Sequence, residues 1–209
     1  TAGFTYNSSN NFLAEAYEEK KLFHSSSRSL EEEIDNISGL PLLYEPGLEW
    51  HYSISIDILA RILEVVTKDK LLSILKENIF YPLEMNDTNF SISEDKNKNL
   101  VETFEYNSVK SKLTDLTLAS RKLILYGYPA NNENYCRGGH GLFSTAADYI
   151  KFATMLINGE NENAKPLINK ETLQSMCQNS LDTNLLPIEI VSTNTIKDQN
   201  YENDLDCYG

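Results

Sequence analysis

The chain has 209 residues, and its 18 lysines and arginines against 31 aspartates and glutamates give a formal net charge of −13. A hydrophobic fraction of 41% predicts a globular protein, while the acidic balance and the scattered basic residues argue against a nucleic-acid partner. Nothing indicates a membrane partner either, because no apolar run reaches the roughly 18 residues that a membrane-spanning helix needs.

Local signals predict three segments in the first part of the chain. Helical spacing of apolar residues indicates a helix over 12–23, although the pattern is only moderately periodic. Ser29 is expected to be the N-cap of a second helix that ends near Ser38, because glutamates follow it and acidic groups favour the start of a helix. Residues 41–47 contain two prolines and a glycine, which predicts a short extended connector.

Two helices are predicted between this connector and Pro82. The first begins near Ser53, and the second begins near Leu71 and ends at Pro82, which cannot continue it. In the first helix, a 3.6-residue period predicts one apolar face toward the core. That face consists of Ile54, Ile58, Ile62, Val65 and Val66. We expect the charged residues of the same helix to be solvated. They are Asp57, Arg61 and Glu64.

The middle of the chain is polar and rich in asparagine. Short strands are indicated over 90–92 and 101–106, where apolar and aromatic residues interrupt the polar pattern. A further helix is indicated over 112–125.

Capping signals define the last predicted elements. A hydroxyl at Thr145 and a carboxylate at Asp148 form a capping box that opens a helix ending at Gly159. Another helix is predicted over 170–178. The segment after residue 185 alternates weakly, which is typical of the first strand of a sheet.

A Pro-Gly turn near residue 47 leads to Trp50, Tyr52 and Ser53 at the start of a helix. Backbone N–H groups are unsatisfied there and the helix dipole favours negative charge, which suits a tyrosine that works as a phenolate. The alternative for Tyr52 is a packed ring with a hydrogen-bonded hydroxyl. Ser53 is expected to cap the helix, with substrate contact as its alternative. Trp50 fits a substrate pocket and the core equally well.

Three stretches, taken in order, resemble motifs of the serine hydrolases that share the β-lactamase/penicillin-binding-protein fold. The first is Thr1-Ala2-Gly3-Phe4, which resembles the loop that follows the nucleophile helix. The second extends from Pro41 to Phe90 and includes Trp50-x-Tyr52-Ser53. The third extends from Gly138 to Gly159. Ile54 stands where many β-lactamases have an asparagine, so the sequence looks more like the family VIII carboxylesterase branch.

The resemblance implies an α+β fold of the β-lactamase/transpeptidase type, of which this chain is mostly the helical subdomain with few strands. It also implies that residues 1–209 are a partial domain truncated at both ends. The family's Ser-x-x-Lys nucleophile precedes the motif at Thr1, and its late Lys-Thr-Gly or His-x-Gly motif follows the third stretch. Two Ser-x-x-Lys matches, at Ser73 and Ser93, come after Tyr52, where the family does not have its nucleophile.

The activity implied by the resemblance is hydrolysis of a small-molecule ester through an acyl-serine intermediate, with no cofactor and no metal. Tyr52 then takes the role of general base or proton relay. Trp50, Ser53, Gly139 and His140 are candidates for substrate contact. The alternatives are a structural turn for Gly139 and a surface position for His140. The three histidines of the chain are too scattered to predict a metal site.

Two other functions remain open at this stage. One is a penicillin-binding-protein-like peptidase or a β-lactamase, whose substrates would be D-amino-acid peptides or β-lactams. The other is a non-catalytic relative that keeps the fold to bind a partner. The chain by itself is expected to be inactive toward esters, because it has no credible nucleophile.

Overall fold

The computed structural model describes residues 1–6, 11–22, 28–101, 104–107, 112–115, 136–139, 141–160 and 166–185. Within these ranges, the regular structure consists of six α-helices, one π-helical turn, two short 3-10 helices at Glu94–Asn99 and Thr183–Leu185, and one two-stranded antiparallel sheet. None of the helices described is long and apolar enough to cross a membrane. The strand predicted after residue 185 lies outside the described residues.

The first two helices begin at polar N-cap residues. Helix α1 spans Phe12–Glu19, and the side chain of its N-cap Asn11 accepts a backbone N–H at 2.9 Å. Helix α2 spans Leu30–Ser38, and its N-cap is Ser29. The Ser29 hydroxyl accepts the Glu32 N–H at 3.2 Å, while the Glu32 carboxylate accepts the Ser29 N–H at 2.7 Å. Both ends of α2 are therefore as predicted, and the reciprocal cap explains its start.

Helix α3 spans Ser55–Thr67, and the apolar face predicted for it is only partly buried. Ile54, directly before the helix, is fully buried. The last three residues of the predicted face are more than half exposed. They are Ile62, Val65 and Val66. Among the described residues, those of α3 that are buried are instead Asp57, Ala60 and Glu64.

Helix α4 spans Leu71–Leu75 and continues as a wider π-helical turn over Lys76–Phe80, just before Pro82. Its N-cap residue provides no side-chain cap. The carboxylate of Glu64 in α3 instead accepts the Leu71 N–H at 3.1 Å and is itself buried. The expectation that Glu64 is solvated is therefore wrong. Its buried carboxylate instead links the last part of α3 to the start of α4.

Strands β1, Phe104–Asn107, and β2, Lys112–Asp115, pair as an antiparallel hairpin. The position of β1 confirms part of the strand predicted over 101–106. The helix predicted over 112–125 is wrong in its first four residues, because cross-strand pairing with β1 keeps them extended. The remainder of that prediction lies outside the described residues.

The strand predicted over 90–92 is not formed. A single antiparallel bridge lies beside it, in which Asn89 and Phe143 exchange backbone hydrogen bonds of 3.0 and 2.8 Å. Phe90 turns its side chain into the core. The bridge ties the polar middle of the chain to the segment that precedes the fifth helix.

Helix α5 spans Ala146–Asn158, and helix α6 spans Lys170–Met176. The predicted N-cap of α5 is confirmed, since the Thr145 hydroxyl accepts the Asp148 N–H at 3.2 Å. Its end is confirmed as well, since Gly159 has a φ of +77°, the left-handed conformation typical of a residue that ends a helix.

The Asp148 carboxylate makes long-range hydrogen bonds in addition to its place in the first turn of α5. It accepts the Asp87 N–H at 2.8 Å and the Thr88 hydroxyl at 2.9 Å, sixty or so residues earlier in the chain. The Thr88 hydroxyl also lies 2.8 Å from the Ser144 hydroxyl. Asp148 therefore holds the turn after α4 against the start of α5.

Buried apolar side chains form two clusters that share the partly buried Ile34 at their border. The larger cluster combines residues of α3 and α4 with Phe90 and Met155. The smaller contains Tyr17 of α1 and Ile54, with Tyr6 packed on its edge. Because Ile54 is anchored in the smaller cluster, the residues just before it, including Tyr52, are held at the surface of that cluster.

Candidate active site

The first six residues run against the connector over 41–47. Two main-chain hydrogen bonds, each 2.8 Å long, join the two segments. Gly3 has a φ of +82°, and a Cβ atom there would meet a connector carbonyl oxygen at 2.6 Å. Only glycine allows the two backbones to approach this closely. The arrangement brings Tyr6 beside the stretch that carries Tyr52.

Tyr52 lies just before α3, outside the helix itself, and 67% of its side chain is exposed. Its ring packs against the ring of Tyr6, with centroids 5.2 Å apart and planes inclined at 33°. Tyr52 thus presents its hydroxyl group at the surface while its ring is steadied by a second tyrosine.

The two other candidates in this stretch flank Tyr52. Trp50 is half-buried. The prediction that Ser53 caps α3 is wrong, because the N-cap residue is Ile54, which has no side-chain cap. The Ser53 hydroxyl lies 2.7 Å from the Ser55 hydroxyl and accepts the Ser55 N–H at 3.4 Å, forming a local turn before the helix.

Asp57 is fully buried under this surface and forms an ion pair with Arg137. The Arg137 Nε and Nη2 atoms donate to the two Asp57 carboxylate oxygens at 3.0 and 2.8 Å, and the Gly139 N–H donates to one of them at 3.1 Å. The expectation that Asp57 is a solvated helix charge is therefore wrong. A buried carboxylate needs such partners, and Arg137 supplies the planar two-pronged geometry that fits it.

The surroundings of Tyr6 disfavour its ionised form. The pKa of Tyr6 is raised above its ordinary value, first because burial disfavours a charged phenolate. The nearby Asp57 carboxylate and Tyr52 raise this pKa further, while the Arg137 guanidinium acts in the opposite direction. Together these surroundings favour the neutral phenol form of Tyr6.

The glycines after Arg137 lie against the start of α3. A Cβ atom on Gly138 would be 2.2 Å from the Ile56 carbonyl oxygen, and one on Gly139 would be 3.1 Å from an Asp57 carboxylate oxygen and 3.3 Å from the Tyr6 hydroxyl. The structure therefore brings Gly139 into the neighbourhood of Tyr6 and Asp57. His140, the last of the predicted site residues, lies outside the described residues.

A groove of about 560 Å³ adjoins the glycines. Its walls are mainly apolar and come from α3, α4 and the segment before α5, with Arg137, Gly138 and Gly139 at one edge. The apolar lining includes Ile56, Leu59, Leu63, Leu75, Phe90 and Leu142. Ile56 and Leu59 also belong to the exposed side of α3.

The match to a known family decides the identity of this fold. Residues 1–185 match the family model described as Beta-lactamase. The chain belongs to the Beta-lactamase family. It therefore has the β-lactamase/transpeptidase fold, and the prediction of a mostly helical part of that fold with few strands is confirmed.

Relatives within the Beta-lactamase family include enzymes of ester and acyl chemistry. Lovastatin esterase of Penicillium rubens is 28% identical over 139 residues, which is 64% of this chain and 32% of that protein. A solved LovD6 mutant of simvastatin synthase from Aspergillus terreus is 26% identical, with a TM-score of 0.65 over 88% of this chain and 40% of that one. The structure of EstCE1, a hydrolase with promiscuous acyltransferase activity, is 25% identical, with a TM-score of 0.61 over 79% and 46%. The chain spans about a third of the length of the curated relatives it matches.

The two Ser-x-x-Lys matches of this Beta-lactamase family chain lie on other surfaces. Ser73 is exposed on α4. Near the other match, the Ser93 hydroxyl interacts with Asp95, and the Lys96 ammonium forms an ion pair with Asp87. Both serines are thus in local environments that differ from the one around Tyr52.

Sequence reasoning named Tyr52 and Gly139 as candidates, but it did not name three residues that lie near them, Tyr6, Asp57 and Arg137. Tyr6 lies two residues after the end of the motif Thr1-Ala2-Gly3-Phe4, so the motif was the signal that could have found it. Asp57 and Arg137 are 80 residues apart in sequence, and no local pattern links them.

Proposed function

We propose that this chain provides the tyrosine side of the active site of a serine hydrolase that cleaves small esters through an acyl-serine intermediate. The observation that carries the proposal is the position of Tyr52, with an exposed side chain braced by Tyr6 just before α3, in a chain of the Beta-lactamase family. The nucleophile of the proposed reaction is the serine of a Ser-x-x-Lys segment encoded before Thr1.

The proposed reaction has two steps. In the first, the Tyr52 oxygen accepts the proton of the serine hydroxyl while the serine oxygen attacks the ester carbonyl carbon. The bond between that carbon and the alkoxy oxygen then breaks, the leaving alcohol takes the proton from Tyr52, and an acyl-serine remains. In the second step, water attacks the acyl carbon and loses a proton to Tyr52. The bond between the acyl carbon and the serine oxygen then breaks, and the serine oxygen takes that proton from Tyr52, which releases the acid and restores the free serine.

Four neighbouring residues are proposed to contact the substrate. Trp50 and Ser53 flank Tyr52 along the chain, and Gly139 lies close to Tyr6 and Asp57. His140 follows Gly139 directly. The half-buried indole of Trp50 suits the apolar part of an acyl group, and the absence of a side chain at Gly139 suits close approach of a substrate.

The names of the relatives support ester chemistry in particular. The name of lovastatin esterase denotes ester cleavage, and EstCE1 is described as a hydrolase with promiscuous acyltransferase activity. Acyl transfer differs from hydrolysis only in the acceptor, because an alcohol takes the place of water in the second step. We therefore include transfer of the acyl group to an alcohol as a second activity of the proposed site.

The test uses the full-length gene product with p-nitrophenyl acetate as substrate. We expect Tyr52→Phe to lower kcat by about 100-fold or more, the usual range for loss of a general base, with unchanged thermal unfolding. Tyr81→Phe is the matched control, because Tyr81 is also exposed and lies beyond α4. Turnover of Tyr52→Phe within a few-fold of the unsubstituted protein would overturn the role of Tyr52.

A fluorophosphonate probe followed by mass mapping tests the nucleophile separately. We expect the label on a serine of a Ser-x-x-Lys segment before Thr1. A label on Ser73 or Ser93 would contradict the proposed position of the nucleophile. A folded protein that is not labelled and shows no turnover would instead support a non-catalytic binding protein.

A further inference from the structure

The buried carboxylate of Asp57 accepts hydrogen bonds from two residues of one loop. Arg137 donates through its Nε and Nη2 atoms at 3.0 and 2.8 Å, and the Gly139 backbone N–H donates at 3.1 Å. The Asp57 and Arg137 side chains are both buried, so separating them would leave charges unpaired away from water. The loop over 137–139 is therefore held at a defined place against α3.

The end of α3 that holds this loop also determines the position of Tyr52. Asp57 lies in the first turn of α3. Ile54, directly before the helix, is fully buried in the smaller apolar cluster, and Tyr52 precedes it by two residues. Tyr52 and Gly139 are thus attached to the same end of one helix, the first through the chain and the second through a carboxylate. A change in their separation has to break buried contacts.

The hydrogen bond to Asp57 also determines which part of Gly139 can face a substrate. The Gly139 N–H already donates to the carboxylate, so the residue borders the proposed site with the rest of its main chain. A Cβ atom there would lie 3.1 Å from an Asp57 carboxylate oxygen and 3.3 Å from the Tyr6 hydroxyl, which leaves little room for a side chain. Gly139 is nevertheless exposed to solvent, and so it is open to a ligand.

We infer that Asp57 is a positioning residue for the proposed reaction: by holding Arg137 and the Gly139 N–H, it fixes the separation between Gly139 and Tyr52 and thereby limits the width of the acyl group that fits between them. This inference rests on the proposed function, in which Tyr52 transfers the proton and Gly139 contacts the substrate. Asp57 itself acts through Gly139. Misplacing a group in an active site by about 1 Å can lower the rate by about 100-fold, so such an anchor affects catalysis as well as stability.

The test compares two esters of different width, p-nitrophenyl acetate and p-nitrophenyl trimethylacetate, with the full-length gene product. The ratio of their kcat/KM values does not depend on the fraction of enzyme that is folded, so a loss of stability alone leaves this ratio unchanged. We expect Asp57→Asn to shift the ratio by about threefold or more toward the wider ester, because release of Gly139 relaxes the limit on width.

A second variant and a matched control make this comparison decisive. Arg137→Lys keeps the buried positive charge but loses the two-pronged geometry, so it is the milder change and should shift the ratio in the same direction. Glu64→Ala removes another buried carboxylate of α3, which accepts the Leu71 N–H instead, and should leave the ratio unchanged. An unchanged ratio in the ion-pair variants, or an equal shift in Glu64→Ala, would overturn the inference.

Amide hydrogen exchange measured by NMR tests the anchor without relying on activity. The Gly139 and Leu71 N–H groups each donate to a buried carboxylate of α3. We expect Arg137→Lys to accelerate exchange at Gly139 by about 10-fold relative to Leu71, and Glu64→Ala to have the opposite preference. Equal acceleration at both positions in Arg137→Lys would indicate a general loss of stability and would contradict the inference.

The outcomes distinguish failure of this inference from failure of the proposed function. If Tyr52→Phe loses turnover but the ion-pair variants keep the ratio of the unsubstituted protein, the role of Asp57 is wrong and the proposed function stands. If neither ester is turned over, or if Tyr52→Phe retains turnover, the proposed function fails and the positioning role fails with it.

Discussion

Asp57 and Arg137 form a two-pronged ion pair in the interior of the protein, although 80 residues separate them along the chain. Their side chains are 0% and 4% exposed. The pair joins the first turn of α3 to the loop beside Tyr6. Because both charges are out of contact with water, the geometry of this pair has consequences for stability that surface charges lack.

We expect Asp57→Asn to destabilise the fold by about 3–5 kcal/mol, because the buried Arg137 charge loses its carboxylate partner. Urea denaturation followed by circular dichroism measures this change. The matched control is Asp69→Asn, at an exposed position between α3 and α4, which should stay within about 0.5 kcal/mol. A loss below about 1 kcal/mol for Asp57→Asn would show that the pair does not hold the loop.

Glu64 is predicted to stabilise the start of α4 through the Leu71 N–H. Removing the acceptor in Glu64→Ala leaves a buried N–H without this partner, at a cost of about 1–3 kcal/mol. Glu64→Gln retains an acceptor oxygen and should cost less. Midpoints of urea unfolding compare the two variants, with the exposed Glu77→Ala as control. Equal losses for Glu64→Ala and Glu64→Gln would mean that charge, and not the hydrogen bond to Leu71, dominates.

We expect the fold to lose stability at alkaline pH because of the buried Tyr17. Burial raises the pKa of this tyrosine from its ordinary 10 to about 12. Because the pKa in the folded state is higher than in the unfolded chain, the stabilisation is fully present below pH 10 and is lost as pH rises toward 12. The loss amounts to about 2–3 kcal/mol. Urea midpoints are measured from about pH 9 to about pH 12, a range that includes the pKa of Tyr17 in the unfolded and in the folded state. Over this range the midpoint should fall less steeply in Tyr17→Phe than in the exposed-site control Tyr81→Phe. Parallel curves would contradict the prediction.

Gly138 is predicted to tolerate no side chain, because an added Cβ atom would lie 2.2 Å from the Ile56 carbonyl oxygen. Gly138→Ala must move the loop away from α3, and we expect a cost of about 1–3 kcal/mol. Gly39→Ala is the matched control: its Cβ atom would meet nothing within 4 Å and its φ is −86°. That control should be neutral or stabilising by up to about 1 kcal/mol. Similar unfolding midpoints for both variants would show that the loop has room.

The parts of the fold that could be predicted from sequence are those fixed by local chemistry. The start of α2 follows from Ser29 and Glu32, which satisfy each other's backbone, and the start of α5 follows from Thr145. The family could be predicted because its motifs are continuous stretches of sequence. Tyr52 and Gly139 belong to such stretches, and both lie close to Tyr6 in the structure.

What the sequence could not predict depends on distant partners. A charged residue on an amphipathic helix is usually solvated, and only the position of Arg137 makes Asp57 an interior residue. Strand β2 is extended because of its pairing with β1, which overrides its local tendency. The period of the apolar residues in α3 indicated which face would be buried. It could not reveal that Asp57 and Glu64 would be among the buried residues of this helix.

The main-chain hydrogen bonds between residues 1–6 and the connector have a consequence for how this surface changes during evolution. Bonds between backbone atoms do not depend on which side chains are present, so most positions in the two segments can diverge while the segments stay aligned. Gly3 is the exception, since its φ of +82° and its 2.6 Å approach to the opposite carbonyl exclude other residues. Among distant homologues, we therefore expect a glycine at the position of Gly3 to occur together with tyrosines at the positions of Tyr6 and Tyr52, even where the sequence between them has diverged.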